Sequence, residues 1–278
     1  MVSLKRLFSP VRSFDPDQAK SFMAEHKEGT YVILDVRQPA EYEEAHITGA
    51  KLIPLPQLHD SIKKLDLEQP IITYCAVGGR SRVAAQLLSG AGFKEVYNLK
   101  GGIKAWSDHK AVGPKELNLD ILRGDETPEE IAVLAYGMEA GLQTFYEQMI
   151  EKGEDPELRQ LLSKLIDIEE NHKKMLRELH AKIAPSGKAF QAFEVTEGST
   201  VMEGGFNMME FIEQNAPFLD AVQDVIDLAM MLETQALDLY LRFAEKSSHS
   251  ETKNVLFRIA DEEKGHLSAL GRLLEEKL

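Results

Sequence analysis

From Tyr31 onward, short apolar runs rich in β-branched and aromatic residues (YVILDV, IITYC, VYNL) alternate with segments of helical period such as SRVAAQLLSGAG. Runs of this kind are read as buried strands, and their alternation with helices predicts an α/β domain with a mostly parallel sheet. The pattern fades after GGIKAWSDHKAVG, and residues 113–126, GPKELNLDILRGDE, read as a connector. Beyond it the apolar period changes to 3.6. Thr127, Pro128 and Glu130 form a capping-box signature at the head of a helix that Gly153 closes. Asp155 and Pro156 open a second helix running to about residue 183, and residues 184–216, rich in Gly, Ser and Phe, form a long connection. Two further helical stretches cover about 217–246 and 250–277, joined at KSSHS. The expected organisation is an α/β domain over residues 1–112, a linker over 113–126, and an all-α four-helix bundle over 127–278 whose second and third helices are joined by the long connection.

Inside the helical part a spacing recurs. Glu169 and His172 stand three apart in LIDIEENHKKMLREL, and Glu263 and His266 stand three apart in DEEKGHLSAL. Positions i and i+3 share a helix face, so each pair points one way. Glu139 and Glu233 each have a tyrosine seven residues on, Tyr146 and Tyr240, and every one of these correspondences has the same offset of 94 residues. The second half of the bundle repeats the first. In an antiparallel helix pair, residues equidistant from the turn lie at equal height. The midpoint of Glu139 and Glu169 is residue 154, in KGEDP, and that of Glu233 and Glu263 is residue 248, in KSSHS. Both hairpins therefore bring their glutamates level, and pairing of the halves about a pseudo-twofold axis converges four carboxylates and two imidazoles at one depth. Buried carboxylates left uncompensated would protonate rather than stay charged. Two divalent cations answer four carboxylates, and oxygen donors with some nitrogen suit iron or manganese. His180, His249, Met230 and Met231 fit surface or core positions rather than ligand positions.

Charge and cysteine content narrow the chemistry. Of the net charge of −14, residues 1–113 contribute +2 and the rest −16, so the helical part is the acidic one. That balance argues against nucleic acid as a partner, since phosphate binding needs clustered Lys and Arg. No long apolar run of spanning length occurs, which argues against a membrane partner, and the start MVSLKRLFSPVRSF lacks the apolar stretch of a secretion signal. A soluble cytoplasmic protein is the expectation. Cys75 is the sole cysteine, which excludes an internal disulfide, a four-cysteine metal site and a CxxC pair. If it acts, it acts as a thiolate. It ends the apolar run IITYC and is followed by Ala76, Val77, Gly78, Gly79, Arg80 and Ser81 before a helix starts, which sets the sulfur among free N–H groups at the positive end of a helix dipole.

The stretch from about residue 28 to 108 resembles the single-domain rhodaneses through LDVR with Asp35 and Arg37, EYEEAHITGAKLIPL with His46 and Gly49, the CAVGGRS loop, and LKGGIKAW. The resemblance implies that Cys75 takes sulfur from a small donor as a persulfide and passes it to a thiol or other nucleophile. It also implies that residues 76–81 cradle the sulfur and Arg80 helps bind an anionic donor, with Asp35 and Arg37 structural. Related phosphatases use a C-x5-R loop, and the C-x4-R spacing here favours sulfur over phosphate. Residues 127–278 resemble the ferritin-like di-iron carboxylate proteins, in particular the rubrerythrin and bacterioferritin branches. That resemblance implies two iron ions, with manganese or a mixed pair as alternatives, held by Glu139, Glu169, His172, Glu233, Glu263 and His266. Glu169 and Glu263 would bridge, and Tyr146 and Tyr240 would support the ligands. Rubrerythrins carry an extra glutamate one turn after the third-helix ligand; here that position is Ala236, and its first-half counterpart is Leu142, so the set is closer to bacterioferritin.

The combined expectation is a redox protein of sulfur metabolism, in which a persulfide-forming sulfurtransferase is joined to a di-iron site that reacts with oxygen or peroxide. Electrons would come from an external donor, because one cysteine cannot build a rubredoxin centre. The chain is expected to be a homodimer. Two alternatives stay open: a rhodanese carrying a noncatalytic iron-binding or dimerising module, and a noncatalytic sulfide or arsenate sensor.

Overall fold

A computed structural model of the chain describes residues 11–152, 154–184 and 199–277. Gly153 and residues 185–198 of the long connection lie outside the described residues. The chain divides into two compact units, Met1–Leu117 and Asn118–Leu278. The division falls within the stretch read from the sequence as a connector.

In the first unit the elements run β1 (Arg12–Phe14), α1 (Pro16–Glu25), β2 (Val32–Asp35), α2 (Pro39–Glu44), β3 (His46–Ile47), β4 (Lys51–Leu52), α3 (Leu58–Ser61), β5 (Ile71–Tyr74), α4 (Gly79–Ala91), β6 (Val96–Leu99), α5 (Gly102–Ala105) and β7 (Lys110–Ala111). Five strands form one sheet in the order β1-β6-β5-β2-β4, and every pairing in it is parallel. Helices flank such a sheet on both faces, so its central strands are buried throughout, as IITY is. Two cores result, one built around Ile33, Ile72, Tyr74 and Leu99 and the other around Leu34, Ile71, Ala84 and Leu88. Cys75 follows directly on β5, the middle strand, and α4 begins four residues later. Ligand sites of open parallel sheets lie at this carboxyl end.

The second unit contains four long helices among the described residues: α6 (Pro128–Lys152), α7 (Pro156–Ile183), α9 (Val222–Lys246) and α10 (Ser250–Lys277), with a short α8 (Met208–Asn215) between. The capping box at α6 forms, with Thr127 N–H donating to Glu130 Oε2 at 2.9 Å and Glu130 N–H to Thr127 Oγ1 at 3.3 Å. Asp155 caps α7 by accepting from Glu157 and Leu158 N–H. α9 starts at Val222 rather than near residue 217, because Ala216–Phe218, with Pro217, form a single 3-10 turn first. The long connection also holds α8 and a tight turn at Glu203–Gly205, neither expected from the sequence. No described helix is long and apolar enough to cross a membrane.

Candidate sulfur loop and metal centre

The sulfur loop is shaped from behind. Ile103 N–H donates to Cys75 O at 2.9 Å and Lys104 N–H to Ala76 O at 3.1 Å, so the first two carbonyls of the loop are turned outward onto the start of α5. Only glycine permits this approach: a Cβ on Gly102, whose φ is +59°, would lie 2.1 Å from Cys75 O. With the carbonyls tied off, N–H groups face the sulfur. Gly78 N–H donates to Cys75 Sγ at 3.2 Å, and the Ser81 hydroxyl lies 3.5 Å away. Burial pushes the Cys75 thiol up, but the Ser81 hydroxyl and the amides of Ser81, Val77 and Gly78 outweigh it and hold the thiol below its ordinary value. Cys75 is 1% exposed, whereas Val77 is 62% exposed, so the loop's rim rather than the sulfur meets solvent.

Arg80, in the first turn of α4, makes a bidentate pair with Glu41 of α2, at 2.7 Å (Nη1–Oε2) and 2.6 Å (Nη2–Oε1). The pair lowers the Glu41 carboxyl to about 2, chiefly through the Arg80 hydrogen bonds, and raises Arg80 in turn. Glu41 was not singled out from sequence, since its six-residue helix gives no periodic signal. Asp35 and Arg37 form a buried pair at 2.7 Å, and Arg37 also donates to Ala45 O, which fixes the end of β2 against the return from α2. His46 stacks on Tyr42 with ring centroids 3.7 Å apart.

In the helical unit the six candidate ligands converge. Glu139, Glu169, Glu233 and Glu263 are all 1% exposed or less. Nδ1 of His172 lies 2.9 Å from Glu169 Oε2 and 3.4 Å from Glu139 Oε2. Nδ1 of His266 lies 2.8 Å from Glu263 Oε2 and 3.6 Å from Glu233 Oε2, so the 94-residue repeat reproduces the same local arrangement. The two imidazoles stack face to face, centroids 3.3 Å apart and planes within 8°. Candidate ligand atoms of Glu139, Glu169 and His172 lie within 4.8 Å of one another, as do those of His172, Glu233 and His266.

So many acids in one buried volume cannot all ionise without positive charge. Burial, with the charges on Glu139 and Glu233, raises Glu169 well above the carboxylate range, while Glu263 is pushed up to about 8, mainly by burial. Glu139 goes the other way, since His172 outweighs the effect of its burial. Burial would lower both imidazoles, yet the flanking carboxylates hold His172 at about 12 and His266 at about 10. Protons thus balance the cluster, and metal ions in their place would supply the same charge. Among the described residues, acceptors also stand without a hydrogen-bond donor, Glu233 Oε2 and Glu263 Oε1 being two, as a carboxylate awaiting a cation does. The donor set fits a pair of hard-to-borderline metal ions.

Tyr146 and Tyr240 are buried beside the acids; burial first, then the nearby carboxylates, raises both phenols well above their ordinary value, so they stay neutral. The Tyr240 hydroxyl has no hydrogen-bond partner among the described residues. His180 and Met230 are buried in the packing, Met231 is half-buried and His249 is exposed. Sequence reasoning missed one acid at the centre, Glu203, which lies 0% exposed in the tight turn of the connection with an oxygen within 4.8 Å of candidate ligand atoms of Glu139 and Glu263. The only signal it offered was a lone acid followed by Gly-Gly between Met202 and Phe206.

Comparison with known proteins divides the chain the same way. The rhodanese-like domain family matches residues 16–109 and the rubrerythrin family residues 180–274. The second match begins near the end of α7, so Glu139, Glu169 and His172 precede it. YqhL of Bacillus subtilis is 46% identical over 74 residues, 27% of this chain and 59% of that protein. The thiosulfate sulfurtransferase GlpE of Ectopseudomonas mendocina is 36% identical over 108 residues, 39% of this chain and 93% of GlpE. GlpE of Coxiella burnetii is 42% identical over 83 residues, covering 30% of this chain and 78% of that enzyme. The chain belongs to the rhodanese-like family through its first unit, and its second carries a rubrerythrin-type, ferritin-like domain matched over residues 180–274.

Proposed function

We propose that the chain combines a persulfide-forming sulfurtransferase at Cys75 with a carboxylate-held di-iron centre that reacts with oxygen or peroxide. The observation that carries the first half is the set of amides turned onto the sulfur by a loop whose carbonyls are tied to α5. The thiolate attacks the outer sulfur of a donor such as thiosulfate. The donor S–S bond breaks, sulfite leaves with the bonding pair, and the outer sulfur stays on Cys75 as a persulfide whose negative charge faces Gly78 N–H and its neighbours. A thiolate acceptor then attacks that outer sulfur and the Cys75 thiolate departs, so the cycle closes without an added oxidant or reductant. Arg80, held at the rim by Glu41, meets the anionic end of the donor, and residues 76–81 form the cradle. A single reduced thiol suits a cytoplasmic setting.

In the second unit Glu139, Glu169, His172, Glu233, Glu263 and His266 would hold two iron ions, or manganese in their place. Bound iron supplies electrons to oxygen or peroxide. The protein's own part is to exclude water, to keep six donors fixed on four long helices, and to keep Tyr146 and Tyr240 as neutral phenols against the ligands. An external donor returns the electrons. Sulfur transfer from thiosulfate to a thiol, measured in the wild type and in Cys75→Ser, tests the first half: activity that disappears in the variant supports it, and activity that persists overturns it. Oxygen or peroxide consumption by iron-loaded Cys75→Ala, with sulfide or persulfide as reductant, tests whether the two sites work together. Unchanged turnover would separate them.

A further inference from the structure

Residues 199–207 are held with unusual care for a connection. Val201 bridges Asn207, Met202 N–H donates to Phe206 O at 2.8 Å, and Gly205 N–H to Met202 O at 3.0 Å. Asn118 Nδ2 donates to Gly204 O at 2.7 Å. On one side the turn touches α6 at Gly141, where a Cβ would lie 2.2 Å from Val201 O, two residues from Glu139. On the other side it meets α9, where a Cβ on Gly204, at φ +70°, would sit 3.0 Å from the Cβ of Gln235, two residues from Glu233. Gly141 lets the turn's backbone pack against the helix, and the left-handed Gly204 makes room for the side chains of Gln235 and Phe206, at the level of the metal ligands.

What the clamped turn delivers is Glu203. It is 0% exposed, neither carboxylate oxygen has a hydrogen-bond partner among the described residues, and one of them lies within 4.8 Å of candidate ligand atoms of Glu139 and Glu263. A fold that gives a carboxylate this position with no donor has placed it for a cation. We propose that Glu203 is a seventh protein ligand of the metal pair, brought by the connection between the second and third long helices rather than by a helix, on the side shared with Glu139 and Glu263. The proposal rests on the di-metal reading above. Its consequence is electrostatic. Four carboxylates match two divalent ions, whereas a fifth leaves the divalent pair with one excess negative charge and the trivalent pair with one excess positive. Glu203 therefore shifts the balance toward the oxidised pair, and removing its charge makes the bound iron easier to reduce.

The test is titration of the metal-free full chain with cobalt(II), whose visible absorption follows coordination, in the wild type and in Glu203→Gln. The expected result is two cobalt ions per wild-type chain; in the variant at least one binds about tenfold or more weakly, with an altered visible band. The metal-free variant should unfold at the same or a higher temperature than the metal-free wild type, since an unpartnered buried carboxylate has gone. That readout separates a lost ligand from a damaged fold. If Glu203→Gln does not fold, Glu203→Asp decides the matter: weakened binding in a stably folded variant supports the assignment and unchanged binding overturns it. Two cobalt ions bound by Glu203→Gln with unaltered affinity and spectrum would remove Glu203 while leaving the six-ligand centre intact. No cobalt bound by the wild type would remove both.

Discussion

At the sulfur, the contest is between burial, which favours the neutral thiol, and oriented donors, which favour the thiolate. The donors win, so the thiolate persists at lower pH than in an unfolded chain. The rate of Cys75 alkylation against pH should therefore rise with a midpoint below the free-thiol value of about 8.5. A midpoint at or above that value would contradict the cradle. The donors are not equal. Ser81 has one hydroxyl proton and lies 2.6 Å from Asn98 Oδ1 but 3.5 Å from the sulfur, so Asn98 takes most of that bond. Backbone amides carry the larger share, and Ser81→Ala should move the alkylation midpoint up only slightly. A rise of more than about one unit would show that the hydroxyl, rather than the amides, holds the thiolate.

Single elements decide where these donors point. The four-residue α5 is too short to matter as a helix, yet its first N–H groups orient the whole sulfur loop, and Gly102 is the position where it touches. Gly102→Ala forces a Cβ into the carbonyl of Cys75. We expect sulfur transfer to fall by about tenfold or more while the far-ultraviolet spectrum stays native, since a misplacement of about 1 Å costs rates of that order. Full activity in that variant would show that the loop does not depend on α5. In the helical unit, Gly141→Ala should push the 199–207 turn off α6 and lower the unfolding temperature, as overpacking against backbone does, at a cost of about 1–3 kcal/mol. An unchanged temperature would show that the turn yields at no cost.

Legibility follows the same divide. The strands β2, β5 and β6 and the four long helices announce themselves by period, and equal distance from the turns at residues 154 and 248 is enough to bring Glu139 level with Glu169 and Glu233 with Glu263. Glu203 could not be found that way, because its turn has no period. It takes its place from glycines at 141 and 204, whose meaning depends on what packs against them. β3 and β7, two residues each, escape for a related reason: HI and KA become strands only because the chain brings them together antiparallel.

Across the molecule, two units of opposite character share one chain: a nearly neutral α/β unit whose chemistry sits in a backbone loop, and an acidic helical unit whose chemistry sits in buried side chains. The second concentrates buried acids that protons or metal ions must neutralise, so its stability is tied to loading. An ion present at about a hundred times its dissociation constant adds about 2.7 kcal/mol. Chelation should accordingly lower the unfolding temperature of the helical unit and leave sulfur transfer at Cys75 untouched, as thermal unfolding and a transfer assay on the same sample would show. Loss of both together would mean that the units do not hold their structures independently.

The central claim is that four carboxylates and two imidazoles, related by one internal repeat, bind a pair of metal ions. Elemental analysis of full-length protein purified without oxygen, beside the Glu169→Ala/Glu263→Ala double variant, tests it most directly. The account predicts about two iron or manganese ions per wild-type chain and their loss in the variant. A wild type without metal, or a variant that keeps it, would contradict the account.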